Sequence, residues 1–175
     1  MKTQIKARSI EKIIEEQIQK WNITRRKTEI DELVYPVVTM SREPGSGGRV
    51  IAESLAKKFN LDLFHQEMIH CMAESTKVSK QVIETLDEKG LNLLDNWIAS
   101  LVDKKHLWPD QYLKHLMKVI LAIGKHGRAV IVGRGANFIL SPENRFRVRV
   151  IASVETRTGN ISRDYDVSAK KAKRR

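Results

Sequence analysis

Cysteine is nearly absent: Cys71 is the single one in 175 residues. No disulfide can form within the chain, and no cysteine pair stands at metal-ligand spacing, so neither oxidative stapling nor a zinc site is expected. Cys71 reads as a small core hydrophobe. Long apolar runs are missing too. Nothing approaches the roughly 20 residues of a membrane span, and the opening MKTQIKARSIEK lacks the apolar stretch of a secretory signal. A soluble, cytoplasmic protein with no membrane partner is the expectation. Internal repeats are absent, and the basic end is the only biased tract. With 41% hydrophobic residues, a chain of this length can build one ordinary core.

Positive charge is what the sequence has in excess. A net charge of +11 asks for a negatively charged partner: nucleic acid, an anionic membrane or a phosphorylated small molecule. Residues 145–175 carry ten Lys/Arg against three acids. The plainer alternative is a solvated basic face or tail. No aromatic interleaves with the lysines and arginines of the last ten residues, which disfavours nucleic acid.

Hydrophobic spacing divides the chain. Ile10, Ile13, Ile14, Ile18 and Trp21 fall on one helical stripe behind a Ser9 cap, and the polar stretch 22–32 reads as a linker. Residues 1–33 are therefore expected to be a helical appendage to a domain over 34–175. Leu33 to Met40 is a β-branched run ending at a glycine cluster, with Pro36 near its start. Val50, Ile51, Leu55 and Phe59 follow helical spacing up to Asn60, and Leu61, Leu63 and Phe64 suggest a short strand. A helical insertion over 65–127 follows. It has a segment capped by Ser79, a second around Leu94 to Val102, and a third after Pro109 and Asp110 that stops at Gly124 and Gly127. Strand-like runs return at 129–133 and 147–152. The order predicts an α/β domain with a mostly parallel sheet, whose ligands bind at the carboxyl ends of the strands.

The glycine cluster, SREPGSGGRV over residues 41–50, has the parts of a phosphate loop. Its glycines let backbone N–H groups converge, and a helix follows whose N-terminus favours anions. The alternative is a tight strand-to-helix turn. The standard form, G-x-x-x-x-G-K-[ST], is not met. Aligning Gly48-Arg49 with its Gly-Lys pair puts Glu43 at the first glycine and Val50 at the hydroxyl position; aligning Gly47 instead puts Gly48 at the lysine. The first register is preferred because Arg49 keeps a cation there, although a planar fork is no equivalent of an ammonium.

With VTMSREPGSGGRVIAESLAKKF at 38–59, AVIVGRGANFIL at 129–140 and VRVIASVETRTGNISRD at 148–164, the chain resembles the cytidylate kinase-like family of P-loop nucleoside monophosphate kinases over residues 34–175. The resemblance implies a three-layer α/β/α domain with a five-stranded parallel sheet. It implies that Gly45, Ser46, Gly47, Gly48 and Arg49 hold the ATP phosphates, and that Gly133-Arg134-Gly135 stands for a Gly-Arg-Asp contact to the monophosphate. Residues 152–157, with Arg163 beyond, stand for the approach to a lid. Three features depart from the family: the lysine is replaced, the Asp of Gly-Arg-Asp is Gly135, and His65 stands where many relatives carry Asp. Relatives continue past the lid into a further strand, so 153–175 reads as a truncated lid and the C-terminal strand as missing.

Phosphoryl transfer needs in-line positioning and cations more than covalent chemistry. Arg49, Arg157 and Arg163 are the candidate catalytic cations, and Arg42 and Arg134 the candidate substrate-binding ones, each weighed against an ordinary surface charge. Arg147 and Arg149 alternate with valines and read as decoration of one strand face. The five histidines show no metal or triad spacing, and no protein-held metal is expected. Trp97, Trp108, Tyr112 and Phe138 read as core. The expected function is transfer of the ATP γ-phosphate to CMP, dCMP or a related acceptor, with ATP and Mg²⁺. The alternatives are a non-catalytic nucleotide-binding module and a basic nucleic-acid or protein interaction domain.

Overall fold

The computed structural model describes residues 9–27, 37–86, 88–105 and 110–174. The fold is mixed α/β, with a four-stranded parallel sheet and flanking helices of the P-loop-like α/β/α kind. It divides into two compact units: residues 1–34 with 67–126, and residues 35–66 with 127–175.

The second unit holds the sheet. Its strands are β1 (Val37–Arg42), β2 (Asp62–Phe64), β3 (Ala129–Val132) and β4 (Phe146–Val150), in the order β2-β3-β1-β4. Met40 lies opposite Val132 on one side and Val148 on the other. β3 is buried along its whole length, as expected of a central parallel strand rich in β-branched residues. Alternation along β1 sends Val38 and Met40 to the face covered by helix α2 (Gly48–Phe59). There Ala52 and Ala56 bring the helix close to Val38, Met40, Val130, Val132 and Val150. Asn60 ends α2 in the left-handed conformation, and Leu61 N–H closes onto Ala56 O at 2.8 Å. β1 continues to Arg42, so Arg42 is a strand residue and not a loop residue beyond the strand. Residues 33–36, including Pro36, lie outside the described residues.

Three helices complete this unit. The short α7 (Ala136–Ile139) follows β3 directly, and a 3-10 turn at Pro142–Asn144 leads into β4. After β4, Ser153 caps α8 (Val154–Tyr165), its hydroxyl accepting from Thr156 N–H at 3.2 Å. The chain then turns at Asp166 into α9 (Ala169–Ala172), which Ser168 caps and Ala172 anchors by burial.

The first unit is helical. It comprises α1 (Ile10–Lys27), α3 (Gln66–Glu74, apart from its first residue), α4 (Thr76–Glu84), α5 (Glu88–Lys105) and α6 (Gln111–His126). α1 runs on through the stretch expected to be a linker, and it groups with the other helices through Trp21. The indole stacks on the His126 ring at 4.4 Å and 6°. Thr85 Oγ1 gives its hydrogen to Val82 O at 2.6 Å and so accepts from His126 Nε2 at 2.7 Å. Ser75 caps α4, not Ser79, which lies buried inside that helix. Gly124 sits within α6, which reaches His126 before Gly127 turns the backbone to φ +69°. Asp110 caps α6 through Leu113 N–H at 2.7 Å. His106, Trp108 and Pro109 lie outside the described residues.

Candidate functional site

Two loops meet at the carboxyl edge of the sheet, one from β1 and one from β3. Neighbouring strands place them: Met40 pairs with Val132, and Gly133 N–H continues the ladder to Met40 O at 2.9 Å. A crevice at the carboxyl end of a central strand is where parallel sheets bind ligands.

The β1–α2 loop is built for close approach. Ser46 N–H closes a turn onto Glu43 O at 3.1 Å, and Gly45 (φ +74°) and Gly47 (φ +78°) carry the chain into α2. At Gly45 both conformation and space require glycine. A Cβ there would strike the Arg157 carbonyl oxygen and come within 2.9 Å of Ile161 Cγ1. At Gly48 a Cβ would meet Arg42 Cβ at 2.7 Å and Cδ at 2.9 Å, so the Arg42 side chain lies across the start of the helix.

That helix start is electrostatically open. Gly47 provides no side-chain cap, and the first turn of α2 contains no acid. The N–H groups of Gly47, Gly48, Arg49 and Val50 have no acceptor among the described residues. Ser46 Oγ is buried and likewise without a partner. Unpaired donors at a helix N-terminus carry partial positive charge, which an anion offsets. The Arg42 side chain makes no hydrogen bond or ion pair among the described residues, leaving its guanidinium available beside those donors.

The other predicted residues divide. Arg157 reaches the loop: its Nε lies 3.4 Å from Glu43 Oε2, and its carbonyl packs on Gly45. Arg49 contributes its backbone N–H, whereas its side chain runs along α2 to Glu53 at 3.1 Å. His65 Nε2 is 4.0 Å from the same Glu53 oxygen. Arg163 is six residues beyond Arg157, about 240° around an α-helix, so it lies on a different face of α8. Arg134 stands at the β3 turn, where Gly133, Arg134 and Gly135 are all left-handed at φ +78°, +51° and +68°. A non-glycine residue in that conformation costs on the order of 1 kcal/mol and recurs at ligand-binding turns. Its Nε donates to Gln66 O at 3.3 Å.

Three contributors were not singled out as site residues from sequence. Glu43 sits between Arg157 and Arg149, whose Nη2 is 3.8 Å from Glu43 Oε1. Asn160 Nδ2 donates to Gly45 O at 2.7 Å. Arg149, expected as strand decoration, also faces Glu43. An acid within a basic glycine loop was the one available signal; nothing in the sequence pairs residue 160 with residue 45. Among the described residues, no helix is long and apolar enough to cross a membrane.

A model of the cytidylate kinase-like family matches residues 37–175. Among solved structures, an uncharacterized protein from Eubacterium ventriosum ATCC 27560 is similar at 21% identity and a TM-score of 0.46, over 78% of this chain and 65% of that one. The chain thus spans about two thirds of that protein's length, at 65%. No functionally curated protein matches.

Proposed function

The chain belongs to the cytidylate kinase-like family, and from that premise we propose that it binds ATP at the β1–α2 loop and transfers the γ-phosphate to CMP, dCMP or a closely related acceptor. The observation carrying this proposal is the uncapped α2 N-terminus, with its unpaired N–H donors between Arg42 and Arg157. In the transfer, an oxygen of the acceptor phosphate attacks the γ-phosphorus while the bond to the β–γ bridging oxygen breaks, leaving ADP. The attacking oxygen is already anionic, so no protein base is required. The loop N–H groups hold the donor phosphates, Arg42 and Arg157 offset their charge, and Arg134 receives the acceptor's phosphate at the adjacent turn.

The family uses ATP and Mg²⁺ in general. The loop's donors fit the phosphates, but its residues do not fit the ion. Val50, 65% exposed, stands where the preferred register needs a hydroxyl, and the other register puts Arg49 there. No step is therefore assigned to a metal.

ADP release measured with ATP and each of CMP, dCMP, UMP and AMP tests the proposal. Turnover dependent on CMP or dCMP is expected. ATP binding without acceptor-dependent turnover supports a non-catalytic nucleotide-binding module instead, a second reading favoured by the engagement of Arg49 with Glu53.

A further inference from the structure

The cationic side of the loop is organised around one carboxylate. Glu43 follows the last residue of β1, and its N–H donates to Val150 O at 3.1 Å, fixing its backbone against the end of β4. Its side chain, 30% exposed, lies between Arg157 Nε at 3.4 Å and Arg149 Nη2 at 3.8 Å. The contact to Arg157 is an ion pair through Nε that stops short of hydrogen-bond geometry, and no contact among the described residues engages the two terminal nitrogens of that guanidinium. A forked carboxylate–arginine pair would have consumed them.

The backbone of α8 is fixed independently. Asn160 Nδ2 holds Gly45 O at 2.7 Å, and the Arg157 carbonyl and Ile161 pack where a Gly45 side chain would stand. Arg157, Asn160 and Ile161 are spaced i, i+3 and i+4, one face of the helix. Asn160 and Ile161 therefore set where Arg157 begins, and Glu43 sets where its side chain goes.

We infer that Glu43 is a positioning residue: it holds Arg157 by its Nε edge so that the terminal nitrogens meet the phosphates of a nucleotide in the β1–α2 loop. This rests on the ATP-binding proposal above. Glu43 touches no phosphate and acts through Arg157, so its worth to binding vanishes once Arg157 is gone. A carboxylate that merely competed with phosphate for the arginine would act with the opposite sign.

Calorimetric titration of ATP into the full chain tests this with Glu43→Gln, Arg157→Ala and the double variant, each checked by thermal unfolding. Glu43→Gln is expected to weaken ATP about fivefold, Arg157→Ala about tenfold, and the double variant no more than Arg157→Ala alone. Glu43→Asp keeps the charge but draws it back by one methylene, and its loss is expected to be smaller than that of Glu43→Gln. It serves in the same cycle if Glu43→Gln does not fold. A purely structural Glu43 would give losses that multiply in the double variant. Multiplying losses, or ATP binding by Glu43→Gln that equals or exceeds wild type, overturns the inference and leaves the ATP-binding proposal standing. Absence of ATP binding by the wild-type chain overturns both.

Discussion

The two ends of two helices, the start of α2 and the finish of α6, show opposite treatments of polar groups. At the end of α6, Lys125 complements the helix dipole, Trp21 covers the His126 imidazole, and Thr85 takes its Nε2 hydrogen. His70 and His115 in the same unit also have partners, in Tyr112 Oη at 2.9 Å and Ala73 O at 3.2 Å. At the start of α2 there is no cap and no acid, Ser46 Oγ is buried unpaired, and the Arg42 side chain has no partner among the described residues. At the first end the buried polar side chains find their partners within the protein, and such an arrangement stabilises a fold. The second is completed only by an anion, and such an arrangement binds one.

Substitutions at the two ends should therefore fail differently. Trp21→Ala removes a buried indole and its stack; a loss of about 3–5 kcal/mol in urea unfolding is expected, with unchanged ATP affinity of the folded protein. Gly45→Ala forces a side chain into a left-handed residue pressed against α8. About 2–3 kcal/mol of stability should be lost by the same measurement, with ATP affinity falling at least about a hundredfold. Arg42→Ala should cost about tenfold in ATP affinity by calorimetry and leave the unfolding midpoint nearly unchanged, the reverse of Trp21→Ala. If Arg42→Ala instead destabilised the fold and spared ATP, the contrast between the two ends would collapse.

The smallest expected effect concerns acid. Backbone N–H at the start of α8, aided by the Ser153 hydroxyl, holds the Glu155 carboxyl below its ordinary 4.5, with the Lys173 charge assisting and desolvation opposing. A lowered folded-state value means the unfolded chain binds the proton more readily. The stabilisation is complete above the ordinary value and disappears as pH falls below 4.5 through the folded one. Glu155→Gln should flatten that part of the stability-versus-pH curve: the variant is slightly less stable than wild type above 4.5, and the two converge as pH falls.

Much of the sheet was legible because its signals are local. The β-branched runs of β1 and β3 and the 3.6-residue spacing of α2 each lie within a dozen residues, and the glycine loop lies between two of them. Local signals also misled. The stretch 22–27 is polar, yet α1 continues through it, because charged residues with good helix propensity extend a helix already anchored at Ile14 and Trp21. Ser75 and Ser79 both precede apolar residues, and only packing decides that the later one is buried. The site residues Glu43, Arg157 and Asn160 join across more than a hundred positions of sequence. Such a contact has no periodicity to betray it. The three successive left-handed residues at Gly133–Gly135 were legible only as flanking glycines, since φ at Arg134 is set by the turn and not by its own side chain.

Calorimetric titration of ATP into the full-length chain, with Gly45→Ala and Trp21→Ala beside it, tests the central claim most directly. Saturable one-to-one binding by wild type and by folded Trp21→Ala, lost in Gly45→Ala, is the predicted result. No binding by wild type, or binding that Gly45→Ala leaves intact, would contradict the assignment of the open helix end as the phosphate site.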